Sequence, residues 1–319
     1  MLRAFFIALS KLNWAQRVIT KSKLISRMAL RFVAGEKIEA AVTVIQDLNQ
    51  QGILATLDHL GEDTFSTSDA ELAVAEILHT LEVISQKGLR SNVSLKLSQI
   101  GLNIHPDLCK ENLKRILIKA KELNNFIRID MEDSSLTDAT LDVYRWARME
   151  GFTNVGIVLQ AYLYRTEDDI KILGKFDSTF RLCKGAYQEP ASVAFPAKTD
   201  VDKNYDLLVS LLFTQVQDVN YPQISPDGRF PGIPALATHD EKRIAYATAL
   251  MQAMNIPKAC VEFQMLYGIR RELQKSLCDQ GYTVRVYVPY GTHWYRYFMR
   301  RLAERPANLW FMISNLFKK

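Results

Sequence analysis

Eight short apolar runs, each followed by a helical stretch, repeat from Gly52 to the end of the chain. The runs close at His59, Ser98, Met131, Gln160, Gly185, His239, Leu266 and Val288. Short apolar strands alternating with helices predict a parallel sheet built from βαβ units. Eight repeats predict closure into a barrel rather than an open, doubly wound sheet. No GxGxxG follows the first run, so the open dinucleotide-binding sheet lacks its main signature. The expected fold is therefore α/β: a distorted (β/α)8 TIM-type barrel over residues 52–319, preceded by an N-terminal helical arm over residues 1–51. With 319 residues, 48% hydrophobic and 24% charged, the chain can bury one core of that size. Ser68 and Asp69 are the expected caps of the helix after the first strand. Tyr221–Gly232, rich in Pro and Gly, is the expected irregular loop.

Residues 1–35 carry seven Lys or Arg and no acid, interleaved with apolar residues. No apolar run there reaches the roughly 18 residues of a membrane span. Nor does a small-residue cleavage site follow a long apolar core, so a secretory signal is not expected. A basic amphipathic helix fits the pattern, and two placements stay open for it. It lies either on an anionic membrane surface or against the main domain. The net charge of +5 is mild and no nucleic-acid motif is present, so nucleic-acid binding is not expected. Four widely spaced cysteines without a CxxC pair suit a reduced, cytoplasmic setting with no structural zinc.

Chemistry in such barrels sits at the C-terminal ends of the strands. Those ends hold Asp58, His59, Lys96, Asp130, Gln160, Arg181, Lys184, Thr238, His239, Gln264, Leu266 and Tyr287. Each alone fits a loop cap, a rim charge or a satisfied core group. Together they fit a site, because active sites concentrate such groups. On the last helix, Tyr297, Arg300, Arg301 and Glu304 fall at i, i+3, i+4 and i+7, which is one face. Taken alone, that face also fits a solvated basic surface near a helix C-terminus. Beside the strand-end groups, the paired guanidiniums point to a small carboxylate, which Arg matches bidentately. Two rival chemistries share this barrel and a carboxylate substrate. One is a metal-dependent hydrolase using His59, His239 and their neighbours Asp58 and Asp240, although HxH and HExxH are both absent. The other is a Schiff-base aldolase using Lys96 or Lys184.

Several segments, in order, resemble the proline dehydrogenase family. They are SLKLSQIG around Lys96, IRIDMED around Asp130, VGIVLQAYLYRT around Gln160 and RLCKGAY from Arg181 to Tyr187. ATHD at Thr238–His239, FQMLYG around Leu266, and YVPYGTH with RRLAE at the end complete the set. The resemblance runs from about Gly52 to the C-terminus. Because the chain ends soon after the Arg pair, it is similar to the single-activity type without a fused aldehyde dehydrogenase domain. Cys183, where aliphatic residues are common, and Gln188 after the GAY motif are its small departures.

The resemblance implies FAD as cofactor and L-proline as substrate, oxidised to Δ1-pyrroline-5-carboxylate by hydride transfer to flavin N5. It implies that Arg300, Arg301 and Lys96 hold the proline carboxylate. Leu266, Tyr287 and Tyr297 would line the ring pocket, and Glu304 would balance the Arg pair. Asp130 would orient the network, and Arg181 would reach the N5 region, making these two the implied catalytic residues. Met131, Gln160, Lys184, Gly185, Ala186, Tyr187, Thr238 and His239 would contact FAD. A membrane quinone is the implied electron acceptor. The expected location is cytoplasmic, with peripheral contact through residues 1–35 on the inner face of the plasma membrane. A binding or sensing barrel that kept the pocket without turnover is the non-enzymatic alternative. The intact Lys96, Asp130, Arg181 and Arg pair disfavour it.

Overall fold

The computed structural model describes residues 9, 12, 19–20, 28–61, 63–176, 178–217 and 224–304, the side chains of 216, 217 and 304 excepted. Helix α1 (Ile38–Gln50) leads into β1 (Leu54–His59). Then follow α2 (Thr67–Gln86), β2 (Ser91–Leu95), α3 (Pro106–Glu122), β3 (Ile127–Ile129), α4 (Ser134–Met149) and β4 (Val155–Gln160). The order continues with α5 (Thr166–Gly174), β5 (Phe180–Cys183), α6 (Lys198–Gln217), β6 (Ala235–Ala237) and α7 (Glu241–Ala253). It ends with β7 (Glu262–Leu266), α8 (Arg271–Asp279), β8 (Thr283–Tyr290) and α9 (Trp294–Glu304). Neighbouring strands pair in parallel, and β8 closes onto β1 with Tyr287 opposite Thr56. The eight-stranded TIM-type barrel expected from the alternation is the observed fold.

Strand parity separates two interiors. Successive side chains of a strand point to opposite faces. Leu57, Val93, Leu95, Ile127, Ile129, Ile157, Leu159, Phe180, Leu182, Phe263, Val284 and Val286 join the large core cluster between strands and helices. From the helix side, α2 presents Ala70, Val74, Ile77, Leu81 and Ile84, a buried stripe at helical spacing. Burying one Leu or Ile fully is worth about 1.5–3 kcal/mol, so this layer dominates the fold's stability. The opposite parity fills the lumen with polar groups. Thr56 donates to Asn92 at 2.6 Å, and Arg285 pairs with Glu262 at 2.8 Å, each across neighbouring strands. Branched aliphatic residues usually fill such lumens.

Local signals differ from expectation in a few places. The cap of α2 is Ser66, whose Oγ accepts from Asp69 N at 3.1 Å, two residues before the expected Ser68 and three before Asp69. Strand β2 stops at Leu95, and Leu97–Ile100 form a 3-10 turn where strand was expected. Lys96 thereby sits between the strand end and the 3-10 turn, at the rim. Helix α1 lies within the span expected for the arm, yet Ala41, Val42 and Ile45 join the barrel core. The irregular loop is described from residue 224, and it closes the bottom of the barrel. There Gly228 O accepts from Arg285 Nη2 at 2.9 Å, Arg229 O accepts from Asn92 Nδ2 at 3.0 Å, and Phe230 packs edge-on to Phe126.

Most of residues 1–35 lie outside the described residues. The part that is described packs on α9. Ala29, Phe32 and Val33 share a buried cluster with Trp294, Phe298 and Leu302, and Tyr295 donates to Leu9 O at 2.8 Å. Gly268 makes this seat possible. Its φ is +76°, and a Cβ there would lie 1.7 Å from Arg31 O. Among the described residues no helix is long and apolar enough to cross a membrane.

Candidate active site

A cavity of about 370 Å³ opens at the C-terminal ends of the strands. Its wall is assembled from strand-end residues and from α9, which reaches over the mouth. Lys96 enters from the end of β2, Asp130 and Met131 from β3, Gln160 from β4, and Arg181 to Tyr187 from β5. Thr238 and His239 follow β6, Leu266 ends β7, Tyr287 lies on β8, and α9 supplies Tyr297, Arg300 and Arg301. These include every residue given a substrate or cofactor role from the sequence except Glu304, whose side chain lies outside the described residues, whereas Asp58, His59 and Asp240 do not line the cavity.

Asp130 is the centre of the hydrogen bonding. It accepts from Ser94 Oγ at 2.7 Å, Arg181 Nη1 at 2.8 Å and Tyr287 OH at 2.6 Å. Lys96 Nζ stands 3.9 Å from the same carboxylate and 3.7 Å from Asp58. Arg181 also lies over the Tyr287 ring, 5.5 Å from its centroid. Burial, reinforced by the Asp130 and Asp58 carboxylates, pushes the Tyr287 phenol well above its ordinary value. Tyr287 is therefore a fixed donor to Asp130 rather than a base. The Nε and Nη2 of Arg181 are buried without a hydrogen-bond partner. An orphaned buried donor costs about 1–3 kcal/mol, so the site is built for an acceptor that the chain does not supply.

The two Arg of α9 are held by aromatic faces. Arg301 lies 5.0 Å from the Tyr297 ring centroid, and Arg300 lies 6.0 Å from that of Tyr187. On the opposite rim, Lys184 pairs with Asp240 at 2.6 Å and with Asp202. Burial opposes ionisation of Asp240. Lys184, with help from the Lys242 N–H, nevertheless lowers its carboxyl to about 2. His239 Nε2 accepts from Leu266 N at 2.9 Å, tying the ends of β6 and β7 together. Gln160 donates to Glu132 O at 2.8 Å, which fixes its amide under the wall. Gly185, at φ +115°, lies against the Tyr162 ring, where a Cβ would approach to 2.4 Å. His59 packs on Tyr290 with ring centroids 5.1 Å apart, and burial pushes its imidazole down.

Sequence reading missed Ser94, which bridges Arg181 and Asp130. The signal was present: Ser94 is two residues before Lys96, on the same inward parity. Gln264, noted among the strand ends, lines the cavity, and Val158, Ala237 and Met265 line it without having been singled out. Small and aliphatic side chains carry no chemical flag, and only the barrel's closure brings them together.

A family model described as Proline dehydrogenase matches residues 41–314. The chain is 42% identical, over the whole of both chains, to Proline dehydrogenase 1 of Bacillus subtilis. It is 43% identical to Proline dehydrogenase of Deinococcus radiodurans, over 91% of this chain and 90% of that one. Among solved structures, it superposes on proline utilization A of Bdellovibrio bacteriovorus, inactivated by N-propargylglycine, with a TM-score of 0.79 at 24% identity. That match covers 96% of this chain and 35% of the larger protein, so the chain spans about a third of that protein's length. The structural likeness carries the fold, while the full-length identities and the family model carry the kinship. This chain belongs to the proline dehydrogenase family.

Proposed function

We propose that the chain oxidises L-proline to Δ1-pyrroline-5-carboxylate with FAD as cofactor, and passes the electrons to a membrane quinone. The observation that carries this reading is the gathering of Lys96, Arg181, Arg300 and Arg301 on one small cavity around the Asp130 centre. Kinship with the curated proline dehydrogenases supports the substrate.

FAD fits the residues present. The orphaned Nε and Nη2 of Arg181 need an acceptor, and a flavin ring carries acceptor atoms along its edge. Met131, Gln160, Arg181, Lys184, Gly185, Ala186, Tyr187, Thr238 and His239 would hold it. When bound, FAD supplies the hydride acceptor for C–N oxidation. The chain's own part is positioning and electrostatics. Arg300, Arg301 and Lys96 bind the carboxylate and fix the ring's orientation. Leu266, Tyr287 and Tyr297 shape the apolar wall around the ring. Asp130 holds Arg181 and Tyr287 in place, so Arg181 presents a fixed positive charge where electron density accumulates.

The seven basic residues of the first 35, without an acid, support peripheral contact with the inner face of the plasma membrane. Removing residues 1–35 should abolish co-sedimentation with anionic liposomes, and equal partitioning of both forms would overturn that contact. The test of the whole reading is an absorbance spectrum before and after anaerobic L-proline. A flavin spectrum that bleaches supports cofactor and substrate together. A flavin spectrum that proline leaves unchanged rejects the substrate, and a protein that takes up no FAD rejects the cofactor.

A further inference from the structure

Asp58 is the last inward-facing residue of β1 and is fully buried. Neither of its oxygens accepts a hydrogen bond. The nearest cation is Lys96, with Nζ 3.7 Å from Asp58 Oδ2 and 3.9 Å from Asp130 Oδ2. Asp130 is already engaged by Arg181, Ser94 and Tyr287. Asp58 is therefore a carboxylate facing Lys96 that carries no hydrogen bonds of its own. Lys96 shares its cavity with Asp130, Arg181, His239, Tyr287, Tyr297, Arg300 and Arg301. Three guanidiniums there disfavour a fourth positive charge, whereas a buried carboxylate beside the ammonium favours it.

We propose that Asp58 is a positioning residue that keeps Lys96 charged and aimed at the cavity, so that Lys96 can bind the substrate carboxylate. The proposal rests on the proline-oxidising reading above. Burial raises the Asp58 carboxyl, Lys96 opposes that rise, and Asp130 adds to it, while Tyr287 and His59 complete the groups facing Asp58. Asp58 thus acts through Lys96 and touches no substrate itself.

The test uses the FAD-loaded enzyme and Asp58→Asn. The KM for L-proline should rise about tenfold with kcat nearly unchanged, as expected when binding is lost equally from ground and transition states. The alkaline limb of kcat/KM should move down by about one pH unit, because Lys96 gives up its proton more readily. A turnover-free measurement reads the same group. Competitive acetylation of Lys96 with acetic anhydride at graded pH, followed by peptide mass spectrometry, should show a lower pKa in Asp58→Asn. In a Lys96→Met background, Asp58→Asn should add no further loss, since the two act as one unit. An unchanged acetylation profile, or an additive loss in Lys96→Met, would overturn the proposal. If Asp58→Asn does not fold, Asp58→Ala carries the same measurements. Failure of the proline reading is distinguishable, because it appears as wild-type flavin that L-proline does not reduce, whereas the Lys96 acetylation profile needs no substrate.

Discussion

Two buried acid–base pairs share the lumen of this barrel and are built in opposite ways. Near the bottom, Glu262 and Arg285 are both fully buried and bonded through two nitrogens, at 2.8 and 3.1 Å. The remaining Arg285 donors reach Ala55 O at 2.7 Å and Gly228 O at 2.9 Å. Burial opposes ionisation of Glu262, but the Arg285 charge and hydrogen bonds hold its carboxyl below the ordinary range. At the mouth, Asp58 and Lys96 approach only to 3.7 Å, and burial leaves the Asp58 carboxyl raised. Arg181 beside them keeps two buried N–H groups without partners. The bottom pair is closed to ligands because it satisfies itself. The mouth groups are held in position but left short of bonds, which is what a binding site requires.

The sharpest way to break this comparison is to remove one partner at each level. Glu262→Ala strands Arg285 in the interior and should cost about 3–5 kcal/mol of stability in urea unfolding. Asp58→Asn removes a carboxylate that has no hydrogen bonds, and should change stability by less than about 1 kcal/mol. Equal losses in the two variants would show that both pairs are structural. Arg301→Ala tests the mouth from the other side. Loss of this buried guanidinium should weaken proline handling by about 2–5 kcal/mol in kcat/KM, with far less effect on unfolding. Unchanged proline kinetics would remove Arg301 from the site.

Gly268→Ala separates the arm's seat from the barrel. The new Cβ would collide with Arg31 O and also sit at positive φ. The expected loss is about 1–3 kcal/mol, with faster proteolysis near residues 28–33 and the barrel's circular dichroism retained. Loss of the whole fold would mean that this cluster is part of the barrel core.

The barrel was legible in the sequence because its strands are short, apolar and regularly spaced, which few other architectures allow. Lys96, Asp130, Gln160 and Arg181 stood out because strand ends mark the catalytic face before any contact is known. Their convergence with Arg300 and Arg301 was a matter of three-dimensional closure, since α9 reaches over a mouth built from strands up to about 200 residues earlier in the chain. The polar lumen was hidden for a different reason. Thr56, Asn92, Arg128 and Arg285 lie within apolar runs and disappear in an average over hydrophobicity, yet their alternation with Leu57, Val93, Ile129 and Val286 gives their direction. The closing of the barrel floor by Gly228–Phe230 could not be read from a Pro- and Gly-rich loop, because its bonds use backbone oxygens that carry no sequence identity.

The smallest expected effect concerns pH, and it sets two carboxylates near the mouth, Asp240 and Asp58, against each other. Asp240 caps α7 through Lys242 N at 3.0 Å and pairs with Lys184 at 2.6 Å, and its carboxyl lies at about 2. A folded pKa below the unfolded value stabilises the fold above about pH 4, and that stability is lost as the pH falls towards 2. Asp58 has the opposite sign. Its raised carboxyl favours the fold most below the unfolded value, and that contribution is lost as the pH rises through the folded one. Asp240→Asn keeps an amide suited to the cap but loses the charge. It should flatten the unfolding curve between about pH 4 and 2, and cost under about 1 kcal/mol at neutral pH for a partly exposed pair. Asp58→Asn should leave that acid limb intact and flatten the curve above about pH 4. Denaturant midpoints measured across both ranges would separate the two. If both variants flattened the same range, Asp240 and Asp58 would titrate as one network, and the contrast between a satisfied and an unsatisfied carboxylate would fail at the mouth.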